Sequence, residues 1–353
     1  MDTVVKGGLP DPFICADGQR VRTAAEWRKR RDELLKVILD IEYGELPPTP
    51  AIRTALLHRH NPVKRLHDCT HQQYRINIEG GTRPFWFIVD ILIPNGDGPF
   101  PAVINGDGCW KYASDEVALE VLSRGYIFAT FNRTEIAPDA YSSVRDTALY
   151  LVYPKSTFGA LSAWAWGYHR VVDFLIRQST VDASKIAVVG HSRGGKCVLL
   201  AGATDERIAL TAPNDSGCGG AGCFRITGEG SEMLADLLKP VPYWFSPKLR
   251  DYIGKESDLP FDQHSLKALV APRALLSTEA LGDLWANPKG TYATYLAAKE
   301  VYRFLGAEEK IGIWYREGAH SHGIDDWNAF LDFADMQFFG EKAASDYATN
   351  PFS

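Results

Sequence analysis

Short apolar, β-branched runs alternate along most of this chain with longer stretches of amphipathic helical pattern. Phe100–Asn105 and Tyr126–Phe131 are apolar throughout, as strands inside a covered parallel sheet must be, and Ile186–Val189 reads the same way. Helices are predicted over Leu161–Arg177, Thr291–Leu305 and Asp326–Phe338, and further strands over Arg207–Ala212, Arg273–Ser277 and Ile311–Tyr315. Upstream, the aromatic and β-branched run Trp86–Ile93 stops at the turn Pro94-Asn95-Gly96, and the opening strands are expected to pair antiparallel. Strands alternating with helices predict an α/β fold with a mostly parallel central sheet covered on both faces. The first fifty residues read as an extension. Thr23-Ala24-Ala25-Glu26 has the spacing of a capping box, the helix it opens is predicted to run from Trp27 to Ile41 and stop near Gly44, and Leu46-Pro47-Pro48 forces an extended exit. Two long segments, Arg133–Gly159 and Ser216–His264, escape the alternation, and connections of that length usually shape a binding site.

Candidate chemistry sits where the strand Ile186–Val189 runs into Gly190-His191-Ser192-Arg193-Gly194 and then into a helix beginning near Lys196. G-x-S-x-G between a strand and a helix has a mechanical meaning: the chain turns so sharply at the serine that its neighbours must be nearly free of side chain, and the hydroxyl stands above the sheet. The layout is that of an α/β-hydrolase fold, a three-layer αβα sandwich, read here as one domain over residues 1–353 with 216–264 as an inserted substrate-site segment. Ser192 then needs a base, and in this fold the base is a histidine on a loop after the last strand. His320 in Gly318-Ala319-His320-Ser321-His322 is the choice, because the small residues before it permit close approach; His322 is the alternative. The orienting acid is Asp283, after the strand Arg273–Ser277, or Asp215, one strand earlier, with Glu279 a weaker third. An oxyanion hole is expected from the Arg193 N–H and a second donor in Gly106-Asp107-Gly108-Cys109, Gly106 first, with the Arg193 side chain adding positive charge or forming a salt bridge.

Composition narrows the classes. With 353 residues, 45% hydrophobic, the chain can bury a sizeable core, and a net charge of −6 with no basic block argues against nucleic acid and anionic membranes as partners. No stretch approaches the roughly 20 apolar residues of a membrane span. The start, MDTVVKGGLPDPF, has no basic-then-apolar signal pattern, so the expectation is a cytoplasmic protein or one that begins after a removed signal. Six scattered cysteines without a C-x-x-C pair speak against a thiolate zinc site, and no metal is expected; Cys218 and Cys223 are as readily two thiols as a bridge.

The residues also resemble one family as a set. Gly190-His191-Ser192-Arg193-Gly194-Gly195-Lys196 is similar to the G-C-S-R-N-G-K-G elbow of the glucuronoyl esterases, carbohydrate esterase family 15. Ala201–Thr211 resembles that family's A-G-A-F-D-E-R-I-A-L-T, Pro213–Gly220 its P-Q-E-S-G-A-G-G, and Ala163–Gly167 its A-W-A-W-G helix. His264-Ser265-Leu266 with Ala271-Pro272-Arg273 resembles H-x-L…A-P-R, so the likeness runs from about Phe100 to Phe338. The resemblance implies a serine carboxylic ester hydrolase that cleaves (4-O-methyl-)glucuronoyl esters, as in lignin–carbohydrate linkages, through an acyl-enzyme and without a cofactor. Ser192 and His320 match the family nucleophile and base. Members place the acid at the position of Asp215 or at that of Asp283; the shorter aspartate at 215 must reach further, which favours Asp283. Lys196 and Glu232 match groups that bind sugar hydroxyls, with Glu229 as fallback for the second, and Trp285 matches a tryptophan lining the sugar pocket. The elbow departs from the pattern with His191 for cysteine and Gly194 for asparagine, and Asn214 replaces glutamine. An acetylxylan esterase or other carboxylesterase on the same fold, or a non-catalytic carbohydrate-binding relative, are the competing readings.

Overall fold

A computed structural model of the chain describes residues 4–5, 8–50, 52–110, 113–140 and 144–352. Nine strands form one mixed sheet: β1 (Ile52–Val63), β2 (Cys69–Ile78), β3 (Phe85–Ile93), β4 (Phe100–Asn105), β5 (Ile127–Phe131), β6 (Val181–His191), β7 (Leu210–Asn214), β8 (Ala274–Ala280) and β9 (Ile311–Arg316). Their order across the sheet is β9-β8-β7-β6-β4-β5-β3-β2-β1. Pairings from β9 to β5 are all parallel, whereas β5–β3, β3–β2 and β2–β1 are antiparallel.

Both faces of the parallel part are covered, and side-chain alternation sorts the strands' residues between them. Ile104, Ala129, Ile186 and Val188 face the layer built by α1 (Ala24–Ile38), α3 (Ala160–Leu175), α4 (Arg193–Thr204) and α5 (Pro288–Phe304). Val103, Phe128, Ala187 and Val189 face α2 (Asp115–Ser123) and α6 (Ile324–Phe339) through Val121, Trp327 and Phe330. All sixteen residues of α3 are buried, so this helix is the spine of its layer. No described helix is long and apolar enough to cross a membrane.

Local signals explain most element ends. Thr23 caps α1 by accepting from the Glu26 N–H, and Glu26 reaches back to the Thr23 N–H. The α-helix starts and ends three residues earlier than predicted: after Ile38 it widens into a π-turn, Leu39–Tyr43, before Gly44 leaves at φ 78°. The strand predicted from Arg207 begins instead at Leu210. Asp205 accepts the Arg207 N–H at 3.0 Å and its guanidinium at 2.8 and 2.6 Å, which holds 205–208 in a turn. Cys218 and Cys223 are free thiols, the latter 3.3 Å from Asp262 Oδ2.

Candidate active site

At the end of β6 the backbone reverses into α4 through Ser192, which sits at φ 55° and ψ −121°, a conformation rarely open to a residue with a side chain. Neighbouring elements hold it there. Ser192 N–H donates to the Asn214 carbonyl at 2.9 Å, and its own carbonyl starts the helix by accepting from Lys196 N–H at 3.0 Å. A Cβ on Gly190 would lie 2.6 Å from the Gly194 carbonyl oxygen, and one on Gly195 would lie 2.8 Å from Ser216 Cβ. The elbow is therefore as tight as the sequence pattern requires.

Gly194 has a reason of its own. A side chain there would run into the carboxylate of Asp107, which is buried after β4 and cannot swing aside. Asp107 pairs with the fully buried guanidinium of Arg133 and accepts the His191 N–H at 2.9 Å. Gly194→Ala is accordingly expected to lower stability by about 1–3 kcal/mol through overpacking, read as a lower midpoint of chemical unfolding at unchanged slope.

His320 lies on the loop after β9, against the ring of the residue that precedes the serine: the His191 and His320 ring centroids are 4.4 Å apart. Its Nδ1 is 2.5 Å from Asp283 Oδ2. An ionised carboxylate only accepts, so Nδ1 carries the hydrogen and Nε2 the lone pair. The hydrogen bond to Asp283 raises the His320 pKa above its ordinary value of 6.5, burial opposes, and the charges of Asp283 and Asp215 add to the rise. Asp283 Oδ1 accepts from Ala286 N–H at 3.3 Å, which fixes this carboxylate at the start of a helical turn.

Asp215 is close but differently engaged. Its Oδ1 accepts the Ala280 N–H at 2.7 Å, and Oδ2 faces Arg316 Nη2 at 3.3 Å. Burial pushes its pKa up to about 7, the Ala280 N–H opposes, and the charge of Asp283 adds to the rise. Atoms of Asp215, Asp283 and His320 that could ligate a metal lie within 4.8 Å of one another; in this arrangement Asp283 is bonded to His320, and Asp215 to Ala280 N–H and Arg316. Glu279 is fully buried behind this group and hydrogen-bonds to none of its members. His322 stacks between His191 and Trp327, at centroid distances of 5.7 and 5.0 Å, and burial holds its pKa well below the usual imidazole range.

One turn into α4, Lys196 is 5% exposed. Its Nζ donates to the carbonyls of Ser216 (2.7 Å) and Cys218 (2.5 Å) and lies 3.4 Å from Glu232 Oε2. Glu232, rather than the exposed Glu229, is brought to the lysine, and its N–H is tied to the Trp285 carbonyl at 3.0 Å. Trp285 itself is 52% exposed, a broad apolar surface two residues from Asp283.

Of the two expected oxyanion donors, the Arg193 N–H heads α4, where the helix dipole favours developing negative charge. Gly106 requires a correction. Its N–H donates to the Tyr168 hydroxyl at 2.7 Å and the residue is buried, so this amide is spent within the core. The Arg193 side chain makes an ion pair with Asp139 at 2.8 Å and lies over Trp244 and Trp110, 4.9 and 5.7 Å from the ring centroids. Asp139 also accepts from the Tyr243 hydroxyl and Trp244 Nε1, both at 2.9 Å. Sequence reasoning missed Asp139, Trp110 and Trp244; the only signal was that Asp139 and Trp244 fall in the two long segments. A hydroxyl on a strained corner, an imidazole backed by a carboxylate and a helix N-terminus are together suited to acyl transfer.

Comparisons with known proteins agree with this chemistry. The family described as "Glucuronyl esterase, fungi" matches residues 76–306. A 4-O-methyl-glucuronoyl methylesterase of Podospora anserina is 34% identical over 333 residues; the match covers 91% of this chain and 65% of that protein, so the chain spans less than two thirds of that relative. The 4-O-methyl-glucuronoyl methylesterase 1 of Wolfiporia cocos is also 34% identical, over 89% of this chain and 76% of its own length. Among solved structures, the carbohydrate esterase family 15 glucuronoyl esterase of Caldicellulosiruptor kristjansonii superposes with a TM-score of 0.85 at 31% identity, covering 98% of this chain and 94% of that one. A serine-to-alanine mutant of the Sporotrichum thermophile glucuronoyl esterase, in complex with methyl 4-O-methyl-beta-D-glucopyranuronate, gives 0.79 at 26% identity over 99% of this chain and 93% of that one.

Proposed function

This chain belongs to the glucuronoyl esterases, carbohydrate esterase family 15, and we propose that it hydrolyses esters of (4-O-methyl-)glucuronate by a Ser192–His320–Asp283 mechanism. The observation that carries the reading is the pairing of Lys196 with Glu232 one helical turn beyond Ser192. A uronate ester is uncharged at its carbonyl and rich in hydroxyls. With two of its three N–H bonds given to the Ser216 and Cys218 carbonyls, the Lys196 ammonium has one to share between Glu232 and a sugar hydroxyl. The Glu232 carboxylate can accept from a neighbouring hydroxyl, and the open indole of Trp285 covers a ring face.

Ser192 Oγ attacks the ester carbonyl as His320 Nε2 takes its proton. The oxygen that gains charge is met by the Arg193 N–H at the head of α4. The alcohol leaves with the proton from His320, and water then enters by the same base to release the glucuronate. Asp283 keeps Nδ1 protonated throughout and stabilises the imidazolium. Because the base must be neutral, kcat/KM falls as pH drops through the raised His320 pKa.

A substrate panel tests the assignment. Methyl and benzyl glucuronate are expected to be turned over with kcat/KM at least about 100-fold above acetylated xylan or p-nitrophenyl acetate, the discrimination available to a site with buried polar groups shaped for hydroxyls. Turnover of the acetyl esters alone would replace the substrate class while leaving the serine chemistry intact.

A further inference from the structure

The elbow carries one side chain that the mechanism above leaves unused, the imidazole of His191. Its surroundings fix its chemical state. Asn214 is fully buried, and its Nδ2 donates to Thr278 Oγ1 at 2.9 Å and Asp326 Oδ1 at 3.1 Å, so Oδ1 is its accepting end. His191 Nδ1 lies 2.6 Å from that oxygen and therefore carries the hydrogen, which leaves the lone pair on Nε2. The other contacts of the ring are aromatic: His320 at 4.4 Å, His322 at 5.7 Å with planes 18° apart, and Trp110 edge-on at 5.9 Å. Burial pushes the His191 pKa down to about 4, the Asn214 bond opposes, and the charge on His320 lowers it further. The ring against His320 is thus a neutral imidazole with a fixed tautomer.

We propose that His191 is a positioning residue that walls the His320 ring in its bond to Asp283 and supports the imidazolium formed when Ser192 gives up its proton. A cation held over the face of an aromatic ring within about 6 Å of its centroid is attracted by it, and the two rings here lie 4.4 Å apart with planes tilted by 41°. The inference rests on His320 acting as the base. Other groups also bear on that imidazole: Asp283 and Asp215 raise its pKa from the loops after β8 and β7, and Lys196 on α4 lowers it. Arg316, at the end of β9, and His322 bear on His191 itself or stack with it. Each of these acts through charge or through His191, whereas His191 supplies a ring in contact with His320.

The test is a pH–rate series with His191→Ala, His191→Gln and His191→Phe. The Ala and Gln variants are expected to lose kcat by about tenfold with KM within about twofold, and to move the acid limb of kcat/KM down by about half a pH unit, because the imidazolium has lost its support. His191→Phe keeps a ring and should hold the limb near the wild-type position. A limb unmoved in the Gln variant, or moved as far in Phe as in Gln, would overturn the proposal even if kcat fell. Should the variants fold poorly, nitrogen NMR of the wild-type protein decides the point. His191 is expected to stay the neutral Nδ1–H tautomer from pH 5 to 8 while His320 titrates, and a titrating or Nε2–H His191 refutes the role. If glucuronate esters are not substrates, the same series run on p-nitrophenyl acetate still tests His191, so the two failures are distinguishable.

Discussion

Asp283→Asn is expected to lower kcat by about 10⁴-fold, and Asp215→Asn by about tenfold or less. The two carboxylates lie in one cluster, but their bonds differ. Asp283 Oδ2 is 2.5 Å from His320 Nδ1, and an amide in its place can present a donor to that nitrogen, moving the ring hydrogen to Nε2, where the serine needs a lone pair. Asp215 makes its bonds to Ala280 N–H and Arg316 and reaches His320 through charge alone. Asparagine at 215 keeps the acceptor for Ala280, and Arg316 remains tied to Asp326 by two contacts of 2.9 Å. Since the charge of Asp215 raises the His320 pKa, its removal should move the acid limb of kcat/KM to lower pH, the limb of a base now easier to deprotonate. Steady-state kinetics across pH on both variants check the ranking, and the reverse order would give the orienting role to Asp215.

Ser192→Ala is expected to remove hydrolysis by about 10⁴–10⁶-fold while the protein still binds a glucuronate. The backbone at 192 stays at positive φ with either side chain, so the variant loses the nucleophile without a new strain, and its unfolding midpoint should match the wild type within experimental scatter. Lys196, Glu232 and Trp285 are untouched, so thermal protection by the free acid should persist. Product release from a methyl ester, measured beside that protection, separates chemistry from binding. Residual turnover near one per cent would point to a nucleophile other than this serine.

The sequence carried the catalytic corner because its constraints are steric and local. Two glycines flanking a serine, an apolar strand before and a helix after leave few alternatives, and coordinates place Ser192 at φ 55° between β6 and α4. β4, β5 and the Ile186–Val189 half of β6 were legible because they are buried and apolar, whereas the first half of β6, with Asp182, Ser184 and Lys185, carried no such signal and was not read as strand. β1 and β2 were not read as strands. Most of β1, including Leu56 and Leu57, is exposed, and Arg59, His60, Asn61 and Pro62 break any alternation, so only pairing along β2 reveals it. The acid was narrowed to Asp215 and Asp283 with only a slight lean to Asp283, because the ends of β7 and β8 bring both to one place and only side-chain direction separates them. Gly106 misled for a similar reason: it occupies the loop that supplies a donor in this fold, yet a tyrosine from α3, sixty-two residues later, takes its N–H. The Arg193–Asp139 pair joins an elbow residue to a loop with no motif of its own.

The small residue at 194 also bears on how such elbows change over generations. A bulkier residue there can be accepted only after the carboxylate of Asp107 has gone, yet deleting Asp107 first strands the guanidinium of Arg133 without its partner at zero exposure, a loss of about 3–5 kcal/mol. Deleting Arg133 first would leave the buried carboxylate of Asp107 without its counter-charge in the same way, so neither member of the pair can be lost cheaply before the other. Enlarging residue 194 alone, with Asp107 and Arg133 kept, is therefore expected to cost more stability than changing all three positions together.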